Sequence, residues 1–156
     1  MEIRDATPDD VVDVVRLLAQ DQLGAGREEV SEPLDPAYLD GFAAIDADPH
    51  NRLVVLVDDD DIIGTLQLTF IPSLTFRGGW RAQIEAVRIA AHRRGTGAGR
   101  QLLRWAIDEA RERGCFLVQL TTNSQRADAR RFYESLGFTA SHHGMKLYLT
   151  GNVAGR

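Results

Sequence analysis

The sequence predicts an α/β (α+β) sandwich built on a mostly antiparallel sheet, and three observations carry that prediction. Strand-like runs and amphipathic helical runs alternate along the chain. Two β-rich runs, Arg52 to Val57 and Ile62 to Ile71, flank the turn Asp58-Asp59-Asp60-Asp61, as a hairpin requires. Two helix starts carry the same signal, a capping residue followed by proline, at Thr7-Pro8 and Asp35-Pro36.

Taken in order, Glu2 to Ala6 reads as the first strand. The helix that Thr7 caps puts Val11, Val14, Val15 and Leu18 on one face at helical spacing. Leu23 to Pro33, with two glycines and several carboxylates, reads as a loop, and the second helix ends near Ala47. The hairpin follows; its aspartate run lacks the alternating ligand spacing, the glycine and the terminal glutamate of a calcium loop. Pro72 to Gly79 is a loop, and Trp80 to Ile89 returns as a strand. A helix from Gly99 to about Arg113 aligns Leu102, Leu103, Ala106, Ile107 and Ala110, with Gly114 as its stop. Cys115 to Thr122 is a short, largely apolar strand of the kind found inside a covered sheet. A last helix spans about Arg126 to Leu136 with Gly137 as its C-cap, and Met145 to Leu149 is expected to close the sheet. No repeat, low-complexity segment or linker interrupts residues 1–156, which read as a single domain.

Composition narrows the function classes. At 156 residues, 44% hydrophobic and 26% charged, the chain suits a globular domain with a substantial core. No apolar run reaches membrane-spanning length and the N-terminus lacks a signal-peptide layout, so a cytoplasmic protein without a membrane partner is expected. Cys115 stands alone, which excludes an intramolecular disulfide and a cysteine-based metal cluster. His50, His92, His142 and His143 show no metal-ligand spacing, and no metal is expected. The net charge of −5 is unevenly divided: residues 1–76 hold 4 basic and 17 acidic side chains, residues 77–156 hold 14 and 6. The basic half suits a polyanionic cofactor; without interleaved aromatic residues to stack on bases it does not suit RNA, and no nucleic-acid partner is expected.

Within the basic half lies Arg94-Gly95-Thr96-Gly97-Ala98-Gly99, between a strand-like run and an amphipathic helix. Glycines let the backbone curl so that N–H groups converge, and the positive end of the following helix favours an anion there. It is not a P-loop, because Gly99 is followed by Arg100-Gln101 rather than Lys and Ser or Thr. Nor is it a dinucleotide fingerprint: the glycines run Gly95, Gly97, Gly99, and the next strand ends Leu120-Thr121-Thr122-Asn123 without a carboxylate for a ribose.

The loop resembles the acyl-CoA pyrophosphate loop of the GNAT acetyltransferases, a basic or Gln residue, two residues, Gly, one residue, Gly or Ala, matched by Arg94, Gly97 and Gly99. The resemblance continues upstream through Ile84-Glu85-Ala86-Val87-Arg88-Ile89 and downstream through Phe132-Tyr133-Glu134-Ser135-Leu136-Gly137-Phe138, which is similar to the family's second signature. It implies a mixed sheet of about six to seven strands with four helices, splayed between the fourth and fifth strands where the pantetheine arm enters. It also implies an N-acetyltransferase that moves the acetyl group of acetyl-CoA to an amine by direct attack in a ternary complex. The rival reading is a non-catalytic acyl-CoA sensing module.

Residue by residue, the resemblance assigns the pyrophosphate to the amides of Arg94, Gly95, Thr96, Gly97, Ala98, Gly99 and Arg100, and the pantetheine and thioester oxygen to main-chain groups of Val87, Arg88 and Ile89. Glu85 occupies the position of a general base; a carboxylate partly buried against apolar neighbours would suit that task. Tyr133 occupies the position of the general acid, since a phenol with a reference pKa of about 10 is protonated at neutral pH and can donate to a departing thiolate. Where many relatives hold the cofactor with an asparagine seven residues earlier, this chain has Arg126, with Asn123 as a nearby substitute. The expected acceptor is a small-molecule or peptide amine, and a homodimer is allowed for. Glu28, Glu29, Glu32 and Asp35, on the loop that walls the acceptor side in the family, would draw a cationic amine.

Overall fold

The computed structural model describes residues 1–20, 24–123 and 127–150. Five strands lie side by side in sequence order: β1 (Glu2–Asp5), β2 (Asn51–Asp58), β3 (Asp61–Ile71), β4 (Trp80–Ile89) and β5 (Cys115–Leu120). The first four pair antiparallel and β5 joins β4 in parallel, so the sheet is mixed and mostly antiparallel as predicted. The helices are α1 (Val11–Ala19), α2 (Pro36–Ala47), α3 (Thr75–Gly78), α4 (Ala98–Glu112) and α5 (Ala127–Glu134). Of these, α3 is a single turn inside the predicted loop, with Phe76 and Arg77 left-handed at φ 52° and 57°.

Local chemistry explains the boundaries. Thr7 opens a 3₁₀ turn, Pro8–Asp10, that runs into α1. The Asp10 carboxylate folds back to accept from the Thr7 amide at 2.7 Å and its hydroxyl at 2.9 Å, satisfying donors that a helix start leaves orphaned. Asp35 caps α2 by accepting from the Ala37 amide at 2.9 Å. Asp59, at φ 54°, turns the β2–β3 hairpin.

Successive residues of a strand face opposite ways. Val54 and Leu56 join a buried cluster with Leu66, Leu68, Ala82 and Ile84 beneath Leu102, Leu103 and Ala106 of α4. Val55 between them joins a second cluster with Val11, Val14, Val15 and Phe42 of α1 and α2. The sheet is therefore sandwiched, with α4 on one face and α1 and α2 on the other.

The sheet has five strands, not six or seven. The expected closing strand Met145–Leu149 does not form, and Met145, Leu147 and Leu149 stand 94%, 86% and 91% exposed. Alternating apolar residues supply a strand's buried face, but a strand also needs a neighbouring ladder for its backbone. Among the described residues, none of this chain's strands provides one.

Candidate active site

The strand β4 changes character halfway along. Its first half, Trp80 to Ile84, pairs on both sides, with β3 and with β5. The β5 ladder ends at Ile84↔Leu120, whereas the β3 ladder continues to Gly64↔Ile89. Among the described residues, the β5 ladder therefore does not reach residues 85–89, at the place where the resemblance implies a splay between the fourth and fifth strands. The register also slips between Thr65 and Gln67, where Ala86 takes φ 54°. This bulge places two residues against one and turns the strand's alternation over. Ala82 and Ile84 face α4 before it, and Val87 and Ile89 pack against that same cluster after it. Sequence reasoning missed the bulge, although the apolar spacing 82, 84, 87, 89 breaks its period of two at that point.

Glu85 lies opposite Gln67 and Arg88 opposite Thr65, on the face of α1 and α2. The partial burial expected of Glu85 is absent: it is exposed. A polar row leads up to it. Gln67 Nε2 and Thr69 Oγ1 donate to Asn51 Oδ1 at 3.0 and 2.7 Å, and Gln119 Nε2 donates to Gln83 Oε1 at 2.7 Å.

Arg88 is half-buried and its Nη1 donates to the Val87 carbonyl at 2.8 Å, so one main-chain group assigned to the pantetheine arm is met by a side chain of the same strand. Burial pushes the Arg88 guanidinium below its ordinary range, nearby Arg27 acts in the same direction, and Tyr133 and Glu28 oppose it. Tyr133 is half-buried on α5, its ring 5.5 Å from that of Phe132 and edge-on to Phe138 at 6.0 Å.

The glycine loop delivers the chain into α4. Gly95 and Gly97 have φ 77° and 91°, values that side-chain-bearing residues rarely adopt, and a Cβ at either would meet nothing within 4 Å. Both therefore border open space. Gly97 is the N-cap of α4 and offers no side chain to its first-turn amides, which leaves those of Ala98, Gly99 and Arg100 available to an anion. Gly99 lies deeper, where an added Cβ would touch Phe132 at 3.5 Å and Ile89 at 3.6 Å, so α4, α5 and the splayed end of β4 converge there. Thr96 Oγ1 donates to Arg93 O at 2.8 Å, tightening the loop, and Arg94 Nε reaches Ile89 O at 3.4 Å. Arg100 Nη2 donates to Ser135 Oγ at 2.9 Å and ties the start of α4 to α5. Arg93 turns away and pairs with Asp58.

The remaining assignments divide. Asn123 is exposed just beyond β5, and Arg126 lies outside the described residues. The acidic wall is partly engaged internally: Glu28 accepts from Arg27 Nε at 2.7 Å and from the Tyr38 hydroxyl at 3.0 Å, and Asp35 is the α2 cap. Burial raises the Cys115 thiol above its ordinary range, as suits a small apolar residue packed against the core.

The Acetyltransferase (GNAT) family profile matches residues 14–138. The chain belongs to this family. It is an acetyltransferase with N-acetyltransferase relatives: 34% identity over 142 residues, covering 90% of this chain and 86% of the other, relates it to the aminoalkylphosphonate N-acetyltransferase of Salmonella typhimurium. The glucosamine 6-phosphate N-acetyltransferase of Trypanosoma brucei brucei is 28% identical over 148 residues, covering 90% and 99% of the two chains. A crystal structure described as a transcriptional regulator from Bacillus halodurans superposes on this acetyltransferase with a TM-score of 0.93 at 50% identity, over 95% of this chain and 99% of that one.

Proposed function

We propose that this acetyltransferase carries the acetyl group of acetyl-CoA to the amine of a small molecule by direct attack in a ternary complex. The observation that carries the reading is the meeting of two backbone surfaces: the last five residues of β4, which the β5 ladder does not reach among the described residues, and the amides that open α4 without a side-chain cap. Backbone outside a ladder needs other partners: Arg88 and Arg94 donate to the Val87 and Ile89 carbonyls, and a bound cosubstrate can answer the groups around them. The pyrophosphate of the cosubstrate is held by residues 94–100, with Arg94 and Arg100 beside it, and the pantetheine arm lies along Val87, Arg88 and Ile89. Asn123, just beyond β5, and Arg126, outside the described residues, remain cofactor contacts of the proposal.

In this reading the acceptor amine loses a proton to the Glu85 carboxylate, directly or through water, and its nitrogen attacks the thioester carbon. Charge develops on the carbonyl oxygen, where main-chain N–H groups of the splayed strand stabilise it. The carbon–sulfur bond then breaks and the Tyr133 phenol gives its proton to the departing thiolate. The two N-acetyltransferase relatives are named for small amines bearing a phosphonate or a phosphate. With Glu28 already bonded to Arg27 and Asp35 engaged as the α2 cap, part of the acidic loop is neutralised within the fold, and an anionic small amine of the kind those relatives are named for suits this reading better than a cationic acceptor.

CoA release is followed over a panel of aminoalkylphosphonates, glucosamine 6-phosphate, amino acids, polyamines and basic peptides. Turnover with an anionic small amine is expected, and Glu85→Gln is expected to lower kcat/KM by about tenfold or more, most at low pH where few acceptor molecules are already deprotonated. The relative described as a transcriptional regulator motivates the rival, a sensor that binds acetyl-CoA without turnover. Tight acetyl-CoA binding with no CoA release from any amine would establish the sensor instead.

A further inference from the structure

The polar row that leads up to Glu85 has a fixed direction. Asp48, the C-cap of α2, accepts from the His50 amide at 2.8 Å and from Asn51 Nδ2 at 2.7 Å. These bonds hold its carboxyl below the ordinary range, as an ionised group that can only accept. Asn51 therefore turns its nitrogen to Asp48 and keeps its oxygen for the sheet, where Gln67 Nε2 and Thr69 Oγ1 donate to Oδ1 at 3.0 and 2.7 Å. The Gln67 amide is set in turn: its nitrogen is committed to Asn51, and its oxygen is left over. Among the described residues, the neighbouring bond from Gln119 to Gln83 ends on no such carboxylate.

Gln67 is also the residue opposite Glu85 across the β3–β4 ladder, the last such pair before the bulge in β4. Opposed side chains on one face stand about 5 Å apart at their Cβ atoms, so the half-buried amide and the exposed carboxylate border one space. Among the described residues, Gln67 Oε1 accepts no hydrogen bond. An attacking amine needs such a pair of acceptors. A primary ammonium carries several N–H groups; a base removes one proton, and the lone pair this uncovers must be aimed at the thioester carbon. A second acceptor aims it by holding another N–H, and a neutral amide oxygen does so without competing for the proton.

We propose that Gln67 determines acceptor specificity: its Oε1 receives one N–H of the primary amine while Glu85 takes the proton from another. Asp48 and Asn51 are positioning residues, which keep the oxygen of Gln67 rather than its nitrogen on the side of Glu85. The inference rests on the reading of Glu85 as the base. A Gln67 amide turned the other way presents N–H to N–H and repels the amine, so a carboxylate at the end of α2 decides whether the site attracts its acceptor.

CoA release from the full chain is measured with aminoethylphosphonate, and with the fastest amine of the panel if that is another. Gln67→Leu is expected to raise the acceptor KM about tenfold, as a lost hydrogen bond to a charged group does, while the acetyl-CoA dissociation constant from calorimetry stays within about twofold of the parent's. That factor is expected to be constant across pH, because an amide does not titrate, whereas the loss in Glu85→Gln is largest at low pH. Asn51→Leu frees the Gln67 amide to turn, and Asn51→Asp keeps oxygens before its nitrogen; the acceptor KM of the first is expected to exceed that of the second by about threefold or more. An unchanged acceptor KM in Gln67→Leu, beside an impaired Glu85→Gln, overturns the inference and leaves the base in place. Equal acceptor KM values in the two Asn51 variants overturn it too, and they are read on chains that keep Gln67, so they decide the matter even if Gln67→Leu does not fold. A parent that releases no CoA with any amine overturns the catalytic reading and this inference together.

Discussion

Along β1 and β2 the sheet is fastened by charge, whereas along β4 and β5 its own ladder stops partway. Arg4 holds Asp10 through two hydrogen bonds of 2.6 and 2.9 Å, and Arg52 spans Asp5 at 2.9 Å and Glu109 at 2.7 Å, tying β2 to both β1 and α4. On the other side, β4 leaves five residues without a β5 partner, and the glycine loop opens α4 without a side-chain cap. The difference teaches where stability and chemistry reside in this fold. A backbone held open against its tendency to pair persists only when its surroundings fix it. Here the continuous β1–β4 sheet and the cluster beneath α4 supply that support.

The open side of the sheet is most sensitive at Gly97. Gly97→Glu is expected to lower acetyl-CoA affinity by roughly 100-fold or more, because a carboxylate enters the open space before the first-turn amides and repels the pyrophosphate. The φ of 91° adds backbone strain of about 1–2 kcal/mol. Gly97→Ala carries that strain without the charge, so titration calorimetry on both variants separates the two. Equal affinity in a folded Gly97→Glu protein would place the pyrophosphate elsewhere. Next in size is Tyr133→Phe, expected to lower kcat by about 100-fold while leaving acetyl-CoA affinity within about twofold, since the proton it gives matters as thiolate charge develops. Phenylalanine keeps the ring packing on Phe132 and Phe138. Full activity in that variant would assign the proton to another donor.

The two sides also differed in how well the sequence disclosed them. Caps and turns are local chemistry, and Thr7-Pro8, Asp35-Pro36 and the aspartate turn marked their elements to within a few residues. The glycine loop was equally legible, since φ values of 77° and 91° demand glycine. The bulge at Ala86 was not, because alanine carries no mark of a left-handed conformation and the only trace is a shifted apolar spacing. The exposure of Glu85 was hidden for a related reason: it depends on how far the helices cover that face of the sheet, which is a tertiary matter. Met145 to Leu149 failed most plainly, since alternation reports a strand's faces and is silent about which edge receives it. The burial of Arg88 is tertiary and had no sequence signal at all.

The mildest change is expected on the fastened side of the sheet, at Asp10. The Arg4 guanidinium, through its hydrogen bonds, holds the Asp10 carboxyl down at about 2, against burial, and the Thr7 amide and hydroxyl add to the lowering from the ordinary 3.8. A depressed folded-state value means that Asp10 contributes stability above the unfolded value, and that this contribution is lost as pH falls from about 4 through about 2. Complete linkage would give about 2 kcal/mol, and solvent screening at Arg4, whose side chain is 38% exposed, reduces that to about 1–2 kcal/mol. Asp10→Asn should therefore lower the urea midpoint at pH 7 and lose most of its deficit relative to the parent near pH 2. Its acetyl-CoA affinity at pH 7 should match the parent's, because the carboxylate acts on the β1–α1 junction and not on the glycine loop. A deficit that persists unchanged near pH 2 would mean that the lost stability is steric rather than ionic. A weakened acetyl-CoA affinity in the folded variant would mean that the fastened side and the open side of the sheet are energetically one unit.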